Sequence, residues 1–307
     1  MKHIVSVSLG SSKRDHKVEV DMLGEHFMLE RRGTDGDLRK AEALLRELDG
    51  TVDAFGLGGI DIYLYSKRGR FALRDGLKLM AAVTKTPIVD GSGLKNSLER
   101  EVIRMLGRDG RFEFNGRNVL MVCAMDRFGM AEAFVEAGCN MVFGDLMFTL
   151  GKDQVINTID ELADYAEKLL PEIAKLPIGF IYPIGKKQDL PPEVKYTEFY
   201  QNADYIAGDY HFIRKHMPPD LGGKTVLTNT VTQEDIEELR VRGVKYLITT
   251  TPEFEGRSFG TNVLEAMLLA MIGKKWEEIV AEDYLGLIGK LGLRPRIERL
   301  NSTQEHN

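Results

Sequence analysis

The chain has 307 residues, 43% hydrophobic and 29% charged, a balance that fits one large or two ordinary globular domains and excludes a disordered chain. Its 41 basic and 47 acidic residues give a net charge of -6, which offers no basic face to a nucleic acid. The opening MKHIVSVSLGSSKRDHK is too short an apolar run for a signal peptide, and no run reaches the ~18 apolar residues of a membrane span. A cytoplasmic protein without nucleic-acid or membrane partners is expected.

Short apolar runs alternate with helical patterns along the whole chain, which predicts an α/β protein with largely parallel strands. HIVSVSL (3–9) reads as the first strand, followed by the polar turn GSSKRDHK, a second strand HFMLERR (26–32) and an amphipathic helix DLRKAEALLRELDG. VDAFGLGGIDIYLY (52–65) carries one or two strands, RDGLKLMAAVTK a helix, TPIVDG (86–91) a short strand, and LKNSLEREVIRMLG a helix. The polar, glycine-rich RDGRFEFNGRN (108–118) marks a domain boundary. Three parts follow from it: an N-terminal α/β substrate domain (1–110), a Rossmann-like doubly wound parallel-sheet domain (111–275), and a C-terminal helix containing Trp276 with a polar tail (276–307).

In the second domain the pattern gives strands at 118–123, 140–145, 204–209, 225–229 and 245–251, and helices at 128–137, 155–175, QEDIEELRVRG and 260–273. The proline-rich segment 176–195 is irregular and is a candidate lid or homodimer contact. Two cysteines, Cys123 and Cys139, exclude a disulfide framework and a thiolate zinc site and read as small core residues. His211 and His216 lack a third ligand nearby in sequence, so no metal is expected.

The stretch NVLMVCAMDRFGMAEAFVEAGCNMVFGD (118–145) has the strand–turn–helix–strand outline of a dinucleotide site. Ala124 and Asp126 stand where the fingerprint places its first two glycines, Arg127 and Phe128 follow, and Gly129 keeps the third. Asp145 lies 21 residues after Ala124, where an acid can hold an adenosine ribose and disfavour a 2′-phosphate, so NAD is expected over NADP. Strand ends in such a sheet face the ligand crevice, which adds Asp209 and Thr250 as cofactor candidates.

GGIDIYLYSK, ending in Lys67, is similar to the G-x-N-V-T-x-P-x-K stretch of the shikimate/quinate dehydrogenase family, and IVDGSGLKNSLE, with Asp90, resembles its N-T-D-G-x-G-F-x-x-S-L-E stretch. GSSKRDHK resembles that family's serine-bearing substrate turn, and GTNVLEAML its final G-x-x-M-L-x-x-Q-A helix, in the same order along the chain. The resemblance implies an NAD-dependent dehydrogenase in which Lys67 and Asp90 form the catalytic pair, the lysine taking the hydroxyl proton. It further implies substrate contacts from Ser11, Ser12, Arg257 and Glu265, the last standing where the family has glutamine. The substrate would be a small, carboxylated, quinate- or shikimate-like molecule. Two other readings stay open: a ligand-binding or regulatory protein that keeps the fold without a dinucleotide, favoured by Asp126, and an oxidoreductase acting on an acyl or amino compound.

Overall fold

The computed structural model describes residues 1–22, 24–67, 69–181, 191–251, 253–254, 257–258, 260–274 and 278–302, with the backbone alone described at 22, 253–254 and 257–258. In chain order the strands are β1 (Lys2–Ser8), β2 (His16–Met22), β3 (Glu25–Gly33), β4 (Ala54–Gly58), β5 (Tyr63–Ser66), β6 (Gly69–Ala72) and β7 (Ile88–Val89). They continue as β8 (Asn118–Met121), β9 (Asn140–Phe143), β10 (Tyr205–Ala207), β11 (Thr225–Thr228), β12 (Tyr246–Thr249), β13 (Glu253–Phe254), β14 (Arg257–Ser258) and β15 (Arg296–Arg299). The architecture is α/β, with two Rossmann-like sheets.

The chain divides into two units. Unit 1 comprises 1–98, 165–190 and 259–293; unit 2 comprises 99–164, 191–258 and 294–307. This differs from a contiguous split near residue 110, because the boundary falls inside helix Ser92–Arg108 and two later segments return to unit 1. The amphipathic helix Ser92–Arg108 runs across the unit boundary at 98–99 and ends at the expected break, so the polar stretch 108–118 closes the helix rather than a domain.

Unit 1 has a sheet in the order β2–β3–β1–β4–β7, parallel except for the antiparallel edge strand β2. Ile4, Val5 and Val7 of β1 are at most 1% exposed, as befits a central strand covered on both faces. Helix Leu38–Leu48 starts at Asp37, whose side chain accepts the Arg39 and Lys40 N–H groups, and it buries Ala41 and Leu45. Helix Thr261–Ile272 lies so close to β4 that a Cβ on Gly56 would stand 2.6 Å from the Asn262 carbonyl oxygen. In the same contact Asn262 Nδ2 donates to Ser6 Oγ at 2.8 Å.

Unit 2 has a sheet in the order β9–β8–β10–β11–β12, all parallel, extended by the antiparallel edge strand β15. In both sheets the first strand lies between the second and third parallel strands, so chain direction reverses beside β1 and beside β8.

The structure adds elements that periodicity misses. The expected polar turn after β1 gives only a 3-10 turn, Ser12–Arg14, before β2 begins. The alternation HKVEVDM is that of an edge strand with one wet side. The expected polar tail contains β15, and helix Thr197–Asn202 precedes β10. Asp145 opens a short helix, Asp145–Phe148, rather than ending a strand. Trp276 and residues 182–190 of the expected lid or dimer segment lie outside the described residues. Among the described residues, no helix is long and apolar enough to cross a membrane.

Candidate functional site

In unit 2 the C-terminal ends of β8 and β10 stand at the topological switch, where open α/β sheets take ligands. β8 leads into the turn around Ala124, and helix Phe128–Glu136 follows, with Phe128 and Gly129 buried at its start. The Asp145 carboxylate accepts the Ala124 N–H through both oxygens, at 2.9 and 3.0 Å, and the Met125 N–H at 2.8 Å. Those amides are the ones a pyrophosphate would need, and an internal anion already fills the position. Burial raises Asp145 to about 6, against the lowering pull of the Met125 and Ala124 amides.

Arg127 is 1% exposed and forms a buried ion pair with Glu99, which is fully buried. Its Nη2 lies 3.5 Å from Asp209 Oδ2 and its Nε 4.0 Å from Asp126 Oδ2. Burial works against the guanidinium charge, but Glu99 first and Asp126 next hold its pKa well above the ordinary value. Arg127 therefore faces three carboxylates. Cys123 Sγ accepts the Asp209 N–H at 3.2 Å, and burial pushes the thiol up, which makes it an inert core group.

Asp209 caps helix Tyr210–His216 through Oδ1, 2.9 Å from the His211 N–H, while its Oδ2 accepts from Asn229 Nδ2 at 3.2 Å. Thr251 Oγ1 donates to the Asn229 carbonyl at 2.8 Å, and the Thr250 N–H donates to the Thr228 carbonyl at 2.8 Å. Thr250 Oγ1 is buried with no hydrogen-bond partner among the described residues. The ends of β8, β10, β11 and β12 thus join in one polar network. Asp126, Asp209 and Asn229 are its half-buried members.

Unit 1 has its own buried polar cluster beyond β4 and β7. Asp90 is 6% exposed, and its carboxylate accepts the Ile62, Tyr63 and Ser92 N–H groups and the Ser92 hydroxyl, the last at 2.6 Å. The buried lysine here is Lys95, whose Nζ lies 2.7 Å from Asp61 Oδ1. Lys67 stands exposed at the turn between β5 and β6. Glu265 is 4% exposed, and burial first, then the Asp90 charge, raises it to about 8.

Ser11 is buried, its Oγ accepting the Lys13 N–H at 3.3 Å and its carbonyl accepting from Arg31 Nη1 at 3.0 Å. The Ser12 N–H donates to Asp35 Oδ1 at 2.8 Å. The Arg257 side chain lies outside the described residues. Sequence reasoning missed Lys95 and Glu99. Their signal was two opposite charges four residues apart in a helix whose Leu94, Leu98 and Val102 are apolar.

Solved structures of similar fold include a galactofuranose-binding protein (11% identity, 99% of this chain and 97% of the other, TM-score 0.38). Another is a sugar ABC transport system substrate-binding protein from Bordetella parapertussis (11% identity, 100% and 92%, TM-score 0.38). A third is an ABC transporter periplasmic solute-binding protein from Actinobacillus succinogenes with bound D-allose (10% identity, 100% of both chains, TM-score 0.38). Likeness at this level carries no ligand or location across to this chain. No curated protein matches the sequence.

The expectations of a shikimate/quinate dehydrogenase-like oxidoreductase, of NAD and of a cytoplasmic location are corrected. These three similar structures are sugar-binding and solute-binding proteins, one of them periplasmic. The physical reason against NAD is local: Asp145 holds the turn amides instead of a ribose, and Arg127 holds Glu99 instead of a phosphate. The roles of Lys67 and Asp90 as a hydroxyl-oxidising pair, and of Ala124, Asp126, Arg127, Phe128, Gly129, Asp145, Asp209 and Thr250 as NAD contacts, depend on that cofactor.

Residues 3–90 match the model of a second family, described as domain of unknown function DUF8753. Residues 93–300, more than half of the chain, match the model described as domain of unknown function DUF8754, and the chain belongs to that family.

Proposed function

We propose that the chain binds a small, uncharged, hydroxyl-rich molecule at the strand ends of unit 2, without a dinucleotide. The observation that carries this reading is the gathering of acceptor groups, Asp126, Asp209 and Asn229, around Arg127 at the strand ends. Its guanidinium is engaged by Glu99 and faces Asp209, while Asp126 adds a further carboxylate. Carboxylates gathered at a binding site disfavour phosphates and carboxylates and accept hydrogen bonds from hydroxyl groups. Asp209, Asp126, Asn229 and Thr250 are the polar groups that would meet the ligand, placed on the ends of four elements as binding sites in open sheets are. A sugar ring fits this chemistry, because neighbouring hydroxyls can donate in pairs to one carboxylate.

Calorimetric titration with neutral pentoses and hexoses, and with their phosphate esters, tests the reading. At least one neutral sugar is expected to bind saturably, and its phosphate ester to bind more weakly. Asp209→Asn is expected to weaken binding by roughly tenfold or more, the scale of one hydrogen bond to a charged group. A phosphate ester that binds more tightly than its parent sugar would overturn the proposal, as would no binding across the panel.

A further inference from the structure

Helix Thr261–Ile272 of unit 1 carries Glu265 on a face where two other elements meet it. From the turn after β7 and the first turn of helix Ser92–Arg108 come Asp90, Gly91 and Gly93; from helix Ala281–Leu291 comes Tyr284. Tyr65 of β5 and Lys95 of helix Ser92–Arg108 complete the titratable groups whose charge reaches this carboxyl or is felt from it. Lys95 is paired with Asp61, so this pair adds no net charge.

The two carboxyl groups have different duties. Asp90 accepts four hydrogen bonds, two on each oxygen, so its acceptor positions are filled by the protein itself. It organises the chain around residues 62–63 and 92 and offers nothing further to a ligand. Glu265 is hydrogen-bonded by the Tyr284 hydroxyl and the Gly91 N–H, yet its Oε2 is buried with no partner among the described residues. Burial and the Asp90 charge favour its protonated form at neutral pH. A proton on the carboxyl finds its open position on Oε2, the oxygen without a partner among the described residues. The result is a buried O–H that lacks an acceptor, an arrangement that is unfavourable until one arrives.

We propose that unit 1 contains a ligand subsite in which Glu265 donates a hydrogen bond from Oε2 to an uncharged ligand oxygen, that of a hydroxyl or a carbonyl. The charge of Asp90 disfavours an anionic acceptor. Gly93 is half-buried, and any Cβ there would collide with Glu265 Oε1 and come within 3.1 Å of the Tyr284 ring. A glycine at this point leaves the carboxyl in place. The subsite stands on unit 1 residues alone and does not depend on the unit 2 site proposed above.

The test is carbon-13 NMR of the full chain labelled at the glutamate carboxyl, with the Glu265 signal assigned by its loss in Glu265→Gln. The probes are glycerol and N-methylacetamide as neutral oxygens and acetate as an anion. The expected result is a Glu265 signal in the protonated position at pH 7 that moves with the neutral probes and not with acetate at equal concentration. Its titration midpoint should also rise when a neutral probe binds, because only the protonated form donates. Asp209→Asn should leave all of this unchanged, which separates the subsite from the unit 2 site. A Glu265 signal already deprotonated at pH 7, one indifferent to both neutral probes, or one that responds more to acetate would overturn the proposal. The titration and probe readings are made on the wild-type chain, and Glu265→Gln serves only to assign the signal.

Discussion

The Asp145 carboxylate lies 2.9 and 3.0 Å from the Ala124 N–H, holding through one backbone group the turn that a nucleotide phosphate would otherwise hold. A second bond, 2.8 Å from the Met125 N–H, fixes the next residue of the same turn. The turn is therefore closed by its own protein. An acid at the offset of a ribose contact has moved by the length of a side chain into the place of the phosphate.

Calorimetry with NADH and with NADPH should accordingly give no saturable heat. Asp145→Ala should not create a cofactor site, because Asp126 remains and Arg127 stays with Glu99. It should instead lower stability by about 1–3 kcal/mol, since two buried amides lose their acceptor. Saturable binding of NADH by the wild-type chain would contradict this account of the turn.

The Glu99–Arg127 pair makes a second, larger effect testable. Both side chains are essentially inaccessible, at 0% and 1% exposure, so removing one takes the nearest counter-charge from the other in a dry site. Arg127→Met should cost about 3–5 kcal/mol in chemical denaturation, and Glu99→Leu a comparable amount. The double variant should recover part of that loss, because one buried charge disappears with its partner while Asp126 and Asp209 still lose their cation. Additive losses in the double-mutant cycle would show that the two residues do not act as one unit.

Much of the scaffold is legible in the sequence. The parallel strands and most helices follow from apolar runs and from the change between two-residue and helical periods. What periodicity does not carry is the destination of charged residues. Asp145 stands at the ribose offset whether it binds a ribose or its own turn, and only the fold decides between those partners. Lys67 and Lys95 both lie in polar-looking stretches, yet Lys95 is buried on Asp61 and Lys67 is exposed. The edge strands β2 and β15 are hidden for a related reason. An edge strand has one wet side and can be as charged as a loop, as HKVEVDM and RIER are.

Packing of helix Thr261–Ile272 on β4 depends on the absence of a side chain at Gly56. A Cβ there would stand 2.6 Å from the Asn262 carbonyl oxygen and 2.9 Å from its carbon, both backbone atoms of the helix. Gly56→Ala should therefore lower the melting temperature, with a loss of about 1–3 kcal/mol from forced displacement. Gly286→Ala provides the contrast. It lies within helix Ala281–Leu291 with nothing within 4 Å of an added Cβ, and it should raise stability by about 0.5–1 kcal/mol.

The raised carboxyl at Glu265 predicts a pH dependence whose sign is fixed. Its pKa in the fold is about 8 against an ordinary 4.5, so the folded chain holds this proton more tightly than the unfolded one. Its contribution is then fully present below pH 4.5 and is lost as pH rises through 8. Other carboxylates shift the opposite way, Asp49 and Asp109 both being held near 2, so the wild-type curve alone does not isolate the effect. The difference between wild type and Glu265→Gln does. Measured by denaturation from pH 4 to pH 9, the wild type should lose up to a few kcal/mol relative to the variant as pH rises, at a limiting slope of about 1.4 kcal/mol per pH unit. A difference that stays flat across this range would mean that Glu265 is charged in the fold at neutral pH, and a buried donor at Oε2 would be ruled out with it.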